Sequence, residues 1–166
     1  MSISVETLSI LAAAWRVHES EALDRIGDLF RVETGSRLLT MTAVDMARPQ
    51  PLVRIWSSFP EMYPIGETKS FGSNSDEWYQ QVMIHYLPAV FARPEDFARM
   101  LPNDCEALAS IGCRTGINIP VVIRGALVGL VNLFGGAHWL SAEAQDRMLA
   151  LTVLTHAAFL GRQAPR

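Results

Sequence analysis

The sequence predicts an α+β domain in which helices cover both faces of a central antiparallel sheet. Two helical segments come first, two β-prone runs follow, and a loop with short helices leads to two more strands and a long helix. Strands that follow one another as pairs in this way are typical of antiparallel sheets. We expect one domain over residues 1–166, with N-terminal helices over 1–35, the sheet over 36–135 and a C-terminal helix over 141–162.

The composition limits the classes of function. The 166 residues are 49% hydrophobic and 19% charged, which predicts a globular chain that buries a single core. A net charge of −3 and the lack of basic runs argue against nucleic-acid binding. We expect a cytoplasmic protein without a membrane span, because no apolar run reaches about 18 residues and no basic residue precedes Arg16.

Helical periodicity marks the first 35 residues. Ser4 is the predicted cap of a first helix, whose apolar face carries Leu8, Leu11, Ala12 and Trp15. A second helix is expected to begin near Ser20 and to end at Gly35, a residue suited to a left-handed cap. Its inward face carries Leu23, Ile26 and Phe30.

The first strand pair is predicted over residues 36–46 and 52–59, joined by a turn at 47–50. Residues 60–73 are rich in Pro, Gly and Ser and lack a period, so we expect a loop over the sheet. Asn74 is the predicted cap of the next helix. One face of that helix carries Trp78, Val82 and Tyr86.

Three further short elements are expected before the last hairpin. Residues 89–91 predict a short edge strand. Pro94 suits the first position of a helix. Asn103 or Asp104 is expected to cap another helix, which ends at Gly112.

The most regular segment covers residues 114–133. Two apolar, β-branched runs flank Arg124-Gly125, which is typical of a hairpin of buried central strands. After Gly135-Gly136, Ser141 and Glu143 begin a predicted helix through Leu160. That helix is apolar almost all round, which predicts burial on more than one side; its apolar residues include Met148, Leu149, Leu151, Val153, Leu154 and Phe159.

The hairpin carries a recognisable order of residues. Arg114-Thr115 precedes an apolar strand with Pro120, then come the turn at Gly125 and the run Gly129-Leu130-Val131-Asn132-Leu133. This order closely resembles the last hairpin of GAF domains, and the order of elements over residues 20–160 is similar too. The resemblance implies a small-molecule pocket beneath a lid formed by residues 60–112. It also implies a homodimer through the first two helices and the last.

Candidate ligand contacts are aromatic and polar residues in or beside this lid, because small-ligand sites combine aromatic walls with a few fixed polar groups. They are Trp56, Tyr63, Trp78, Tyr79 and His85, together with Arg114 and Asn118 of the hairpin. Trp56 and Trp78 are equally compatible with positions in the core.

Asn118 and Asn132 interrupt apolar strands and need hydrogen-bond partners, since a buried amide without them costs about 1–3 kcal/mol. Alternation places Asn118 opposite Ile117 and Ile119; a ligand contact and a structural bond are both open for it, whereas Asn132 favours a structural bond.

The two cysteines, Cys105 and Cys113, are expected to be free thiols in a reducing compartment. Arg114 beside Cys113 favours a thiolate, and His85 could serve as its base, so nucleophilic catalysis is one interpretation. Free cysteines also pack as small buried hydrophobes, which is the other. The four histidines, His18, His85, His138 and His156, are scattered, and we expect no metal site.

Negative observations narrow the ligands that the GAF resemblance implies. The signature of cyclic-nucleotide-binding members does not occur. Bilin-attaching cysteines are followed by His or Leu, whereas Glu106 follows Cys105 and Arg114 follows Cys113. The cysteine motif of the GAF-fold methionine sulfoxide reductases is also missing, and the sequence identifies no cofactor.

Three functions are therefore open. The first is a sensor or regulatory domain that holds a small organic ligand or anion beneath the lid and signals to a separate output protein. The second is a cysteine-dependent enzyme that acts on a small carbonyl, amide or sulfur substrate. The third is a structural dimer or adaptor, which requires a filled space beneath the lid.

Overall fold

The computed structural model describes residues 7, 9, 13, 19–153 and 155–160. The first predicted helix, with its cap at Ser4 and its face of Leu8, Leu11, Ala12 and Trp15, lies largely outside these residues, as does His18. The helices are α1 (Glu19–Thr34), α2 (Asp76–Trp78), α3 (Pro94–Met100), α4 (Cys105–Ser110), α5 (Ala142–Val153) and α6 (His156–Leu160). The strands are β1 (Leu38–Val44), β2 (Leu52–Ser57), β3 (Thr68–Lys69), β4 (Ala89–Phe91), β5 (Thr115–Ile123) and β6 (Ala126–Gly135).

The six strands form one antiparallel sheet in the order β3-β2-β1-β6-β5-β4. Helices α1, α5 and α6 cover one side, which we call the helix face. The segment between β2 and β5 covers the other side, which we call the lid face. The predicted α+β class is confirmed.

The second predicted helix and the last hairpin are also confirmed. Leu23, Ile26 and Phe30 of α1 are buried, and the helix ends before Gly35, whose φ of 63° is left-handed. In the turn of the hairpin, Arg124 and Gly125 both have positive φ, 52° and 78°. That conformation matches the twist of the flanking strands.

Strand β2 contains a bulge that decides where Trp56 points. In the pairing with β1, Met41 faces Trp56 while Thr42 faces Arg54, so Ile55 is an extra residue. A bulge shifts the alternation of side chains by one position. Ile55 and Trp56 therefore both pack on the helix face, where the Trp56 ring lies so close to α1 that a Cβ on Gly27 would be 2.3 Å from it.

The predicted terminal helix is two helices in the structure. Thr155 lies between α5 and α6, and both its amide and its hydroxyl donate to the carbonyl of Thr152, at 3.0 and 2.7 Å. These short-range bonds form a turn in place of the α-helical pattern. Burial is also one-sided among the described residues, because Leu149 and Val153 are exposed while Met148 lies in the core. Leu154 lies outside the described residues.

Three local predictions in the lid need correction. The loop at 60–73 contains the short edge strand β3, which pairs with β2. The cap of α2 is Ser75, whose hydroxyl accepts from the Trp78 amide at 3.2 Å, and not Asn74. Tyr86 does not share the buried face of Trp78, because the helical segment ends at Ile84 and Tyr86 is exposed with a φ of 56°.

In the described part of the chain no helix has the length and apolar character needed to cross a bilayer.

Candidate functional site

A cavity of about 70 Å³ lies between the lid face of the sheet and the lid. A single water needs only about 10–15 Å³ by this kind of measure, so the space admits a small molecule. Strands β1, β2, β5 and β6 form its floor, and the segments around Tyr63, Trp78 and Leu108 form its roof and walls. The polar lining residues are Thr40, Thr42, Arg54, Tyr63, Glu67, Lys69, Asn74, Trp78, Asp104, Asn118 and Asn132.

A row of polar side chains crosses the floor of this cavity. Asn132 of β6 pairs with Asn118 of β5 on one side and with Thr40 of β1 on the other. Its amide nitrogen donates to the hydroxyls of Thr40 at 3.1 Å and of Thr42 at 3.4 Å. Registered positions on neighbouring strands point to the same face, so the sheet itself aligns these groups.

Trp78 and Asn118 join the roof to the floor. The indole Nε1 of Trp78 donates to Oδ1 of Asn118 at 2.8 Å, and both side chains are buried. This bond fixes the orientation of the Asn118 amide and leaves its Nδ2 as the donating end. Directly after Trp78 the helix widens into a π-helical segment, Tyr79–Ile84, a rare conformation that is frequent at functional sites.

Arg54 places a guanidinium group in the floor although only 8% of the residue is exposed. Its Nη1 is paired with the carboxylate of Glu67 and donates to the carbonyl of Pro64 at 3.2 Å. The guanidinium carbon also lies 5.1 Å from the centre of the Tyr63 ring, within the range of a cation–π contact. A charge this deeply buried needs such partners to remain in place.

A second ion pair closes the wall of the cavity. Lys69 of β3 donates to both carboxylate oxygens of Asp104, at 2.7 and 3.0 Å. Both side chains are largely buried. Since Asp104 immediately precedes α4, the pair ties the edge of the sheet to the lid.

Three buried side-chain polar atoms in the described residues have no hydrogen-bond partner, and all three belong to residues that line this cavity. They are Nε of Arg54, the hydroxyl of Tyr63 and Oδ1 of Asn74. Burial without a partner costs about 1–3 kcal/mol for each such group, so native proteins rarely keep one without a reason. Burial also raises the pKa of Tyr63, with the Asp104 carboxylate acting in the same direction, so its hydroxyl stays protonated.

The structure brings three of the predicted ligand contacts to the cavity: Tyr63, Trp78 and Asn118. Trp56 lies on the helix face instead, and its Nε1 donates to Asp24 at 2.9 Å. Tyr79 is half-buried and its ring packs 5.5 Å from that of Phe71, outside the lining.

His85 and Arg114 also lie outside the lining and are exposed. His85 follows the π-helical segment, while the guanidinium of Arg114 donates to the carbonyls of Cys113 and Ala109 at 3.2 and 3.4 Å.

The Cys113 thiol does not have the surroundings of a nucleophile. Cys113 is 1% exposed in the apolar core beneath the lid, and burial raises the pKa of its thiol to about 11 despite the nearby guanidinium groups of Arg37 and Arg114. Cys105 is half-buried and its thiol donates to the carbonyl of Pro102 at 3.2 Å. Neither residue lines the cavity. In the described ranges no three His, Cys, Asp or Glu residues come together in a way that could hold a metal ion.

The sequence reasoning missed Arg54, Glu67, Lys69, Asn74 and Asp104 as lining residues. One signal was present, since Arg54 interrupts the apolar run of β2 just as Asn118 interrupts β5. The other four lie in the lid, where the sequence has no period from which to infer the direction of a side chain.

No family model and no curated protein sequence matches the chain. Solved structures match over nearly its whole length. The GAF domain/HD domain protein from Geobacter sulfurreducens has a TM-score of 0.70 at 12% identity, with 92% of this chain and 97% of that chain covered. Free methionine-R-sulfoxide reductase from Neisseria meningitidis, in complex with its substrate, has a TM-score of 0.67 at 15% identity, with 96% and 93% covered.

The phycoerythrobilin-bound GAF domain from a cyanobacterial phytochrome has a TM-score of 0.65 at 12% identity, with 97% of this chain and all of that chain covered. Identities at this level bear on the fold alone. The element order, the six-stranded antiparallel sheet and these matches together give the conclusion that this protein has the GAF fold.

Proposed function

We propose that this protein is a sensor domain that binds a small organic molecule or anion in the cavity between the sheet and the lid. The observation that carries the proposal is that the three buried polar atoms without a partner, among the described residues, all belong to residues that line one cavity, namely Arg54, Tyr63 and Asn74. A ligand that hydrogen-bonds these atoms offsets the cost of their burial. Apolar lining with a few convergent polar groups is the usual character of a small-ligand site.

The matched structures support this proposal. One is the reductase in complex with its substrate, and another is the bilin-bound GAF domain. The fold thus accommodates ligands in more than one protein. The cavity described here suits a compound much smaller than a bilin, and its lining includes neither Cys105 nor Cys113.

We propose that the lid transmits ligand binding to an output. Asp104 of the lid is joined by an ion pair to Lys69 at the edge of the sheet, and Trp78 of the lid is bonded to the floor. A ligand that binds better when these contacts are closed shifts the equilibrium toward the closed lid. We propose that the closed state is read by a separate output protein.

We also propose that two copies associate through their terminal helices. Three large apolar side chains on α1 and α5 are exposed: Val32 at 75%, Leu149 and Val153. Leu149 and Val153 are four residues apart and share one helix face. Light scattering of the wild type and of Val153→Glu tests this proposal: we expect a dimer and a monomer, and a monomeric wild type would refute it.

The sensor proposal is tested by thermal unfolding of the purified protein against a panel of small metabolites. A ligand at 100 times its dissociation constant adds about 2.7 kcal/mol to stability, and each kcal/mol raises the Tm of a domain this size by about 2–4 °C. We expect at least one compound to act on the wild type and on Arg48→Met, whose arginine is exposed, but not on Arg54→Met. The proposal fails if no compound of the panel raises the Tm and if denaturing the purified protein releases no bound small molecule.

A further inference from the structure

The charges that line the cavity point to the chemical class of its ligand. Four charged residues line it, namely Arg54 and Lys69 as cations and Glu67 and Asp104 as carboxylates. Each cation already has a carboxylate partner, Glu67 for Arg54 and Asp104 for Lys69. The four charges therefore sum to zero and are paired within the site itself.

An ionic ligand would have to break one of these pairs. An anion that reached Lys69 would compete with both oxygens of Asp104, which lie 2.7 and 3.0 Å from the ammonium. A cation that reached Asp104 or Glu67 would displace Lys69 or Arg54 in the same way. Lys69 and Asp104 are both largely buried, and Arg54 is buried although its partner Glu67 is exposed. Removing the partner of Lys69, Asp104 or Arg54 leaves a buried charge uncompensated, so either exchange is unfavourable.

The groups that remain free are hydrogen-bonding groups outside these pairs. Nε of Arg54 is a donor, Oδ1 of Asn74 is an acceptor, and the protonated hydroxyl of Tyr63 can do both; all three lack a partner. Nδ2 of Asn118 is a further donor, because Oδ1 of that amide accepts from Trp78. The site thus offers donors and acceptors together without a net charge.

We infer that the ligand is a small uncharged molecule that carries a carbonyl-type acceptor and an N–H donor side by side, as a carboxamide, a urea or a lactam does. The acceptor is bound by Nε of Arg54, the Tyr63 hydroxyl or Nδ2 of Asn118, and the donor binds Oδ1 of Asn74. The Trp78 indole and the leucines of the lining contact the apolar part. This inference rests on the proposed function and narrows its ligand from an organic molecule or anion to a neutral amide-like compound.

The test uses a set of nearly isosteric probes that differ in charge. Acetamide, acetate and acetamidinium, and the corresponding propionyl and butyryl compounds, are titrated into the intact protein while the indole N–H signal of Trp78 is followed by NMR. Within each set we expect the amide to bind at least about tenfold more tightly than the anion or the cation, the factor that corresponds to losing one hydrogen bond to a charged group.

A variant pair reports on the charge balance directly. Glu67→Gln removes the partner of Arg54 and leaves one net positive charge in the cavity, so we expect its preference to shift at least about tenfold toward acetate. Glu61→Gln is the matched control, because Glu61 is an exposed acid of the same loop and does not line the cavity. It should keep the wild-type preference.

The outcomes separate the two proposals. Tighter binding of the anion or the cation than of the amide in the wild type would overturn the inference while leaving the ligand-binding function intact. An unchanged preference in Glu67→Gln would also count against the inference, since the charge balance would then not select the ligand. If no probe in any of the three series moves the Trp78 signal while a compound of the metabolite panel raises the Tm, the inference is refuted and the proposed function stands; if neither occurs, both are refuted.

Discussion

On the helix face, the sheet meets α1 through close apolar packing; on the lid face, the same strands border a cavity with unsatisfied polar atoms. The two tryptophans show the contrast. Trp56 fills the helix face so tightly that only a glycine fits at position 27, and its N–H reaches the exposed Asp24. Trp78 stands over a polar row and donates to the buried Asn118. Alternation along β1, β5 and β6 thus divides the residues between a face that stabilises the fold and a face suited to binding.

The largest effect on stability is expected for Phe30→Ala on the helix face. Phe30 is fully buried between α1 and the sheet, so we expect the free energy of unfolding to fall by about 3–5 kcal/mol. Asp28→Ala, two residues before it on the same helix and exposed, should change it by less than about 0.5 kcal/mol. Urea unfolding measures both, and similar losses in the two variants would contradict the assignment of the faces.

A smaller effect is expected from Cys113 at high pH. Burial raises the pKa of this thiol from its ordinary value of 9.0 to about 11 in the folded protein. Between these pH values the unfolded chain loses the proton while the folded chain keeps it, so stability falls as pH rises, by roughly 2 kcal/mol. Below pH 9 this contribution to the pH dependence vanishes.

The Cys113 effect is measured as the difference in urea unfolding between pH 8 and pH 11 for the wild type and for Cys113→Ala. Cys105→Ala, which alters the half-buried thiol, should keep the fall seen in the wild type. Equal pH dependence in the wild type and Cys113→Ala would show that the Cys113 thiol is not sealed from solvent.

Replacing each tryptophan by phenylalanine sharpens the comparison. Both variants lose one indole hydrogen bond and a similar volume. Trp78→Phe leaves the buried Oδ1 of Asn118 without its donor, which costs about 1–3 kcal/mol, whereas the exposed Asp24 can turn to water when Trp56 is replaced. We expect Trp78→Phe to be the more destabilising in thermal unfolding, and the reverse order would contradict the polar account of the lid face.

The smallest effect, with the opposite sign, is expected for Tyr63→Phe. The Tyr63 hydroxyl is buried without a partner, so its removal should leave the stability of the ligand-free protein unchanged or raise it by up to about 1 kcal/mol. The same substitution should weaken binding of any ligand that uses this hydroxyl. A clear fall in the Tm of the ligand-free protein would show that the hydroxyl has a structural bond.

Sequence reasoning was most successful where one periodic pattern controlled the result. The position of Asn118 opposite Ile117 and Ile119 and the limits of α1 follow from alternation and helical spacing, and both are as expected. Alternation alone did not identify which of the two faces borders the cavity. For Trp56 the sequence left a ligand contact and a core position open. A bulge at Ile55 shifts the alternation and directs Trp56 into the core, and the pairing that creates a bulge lies in a different strand. The Lys69–Asp104 pair joins residues 35 apart, a contact that no local pattern encodes.

The two edges of the sheet have a consequence for how copies of the protein can meet. The outermost strands, β3 and β4, have two and three residues. Another chain that added itself along either edge would gain few backbone hydrogen bonds, so strand-by-strand aggregation has little to build on. Concentrated solutions of this protein should therefore resist fibre formation. Association between copies should depend on side chains of the helices.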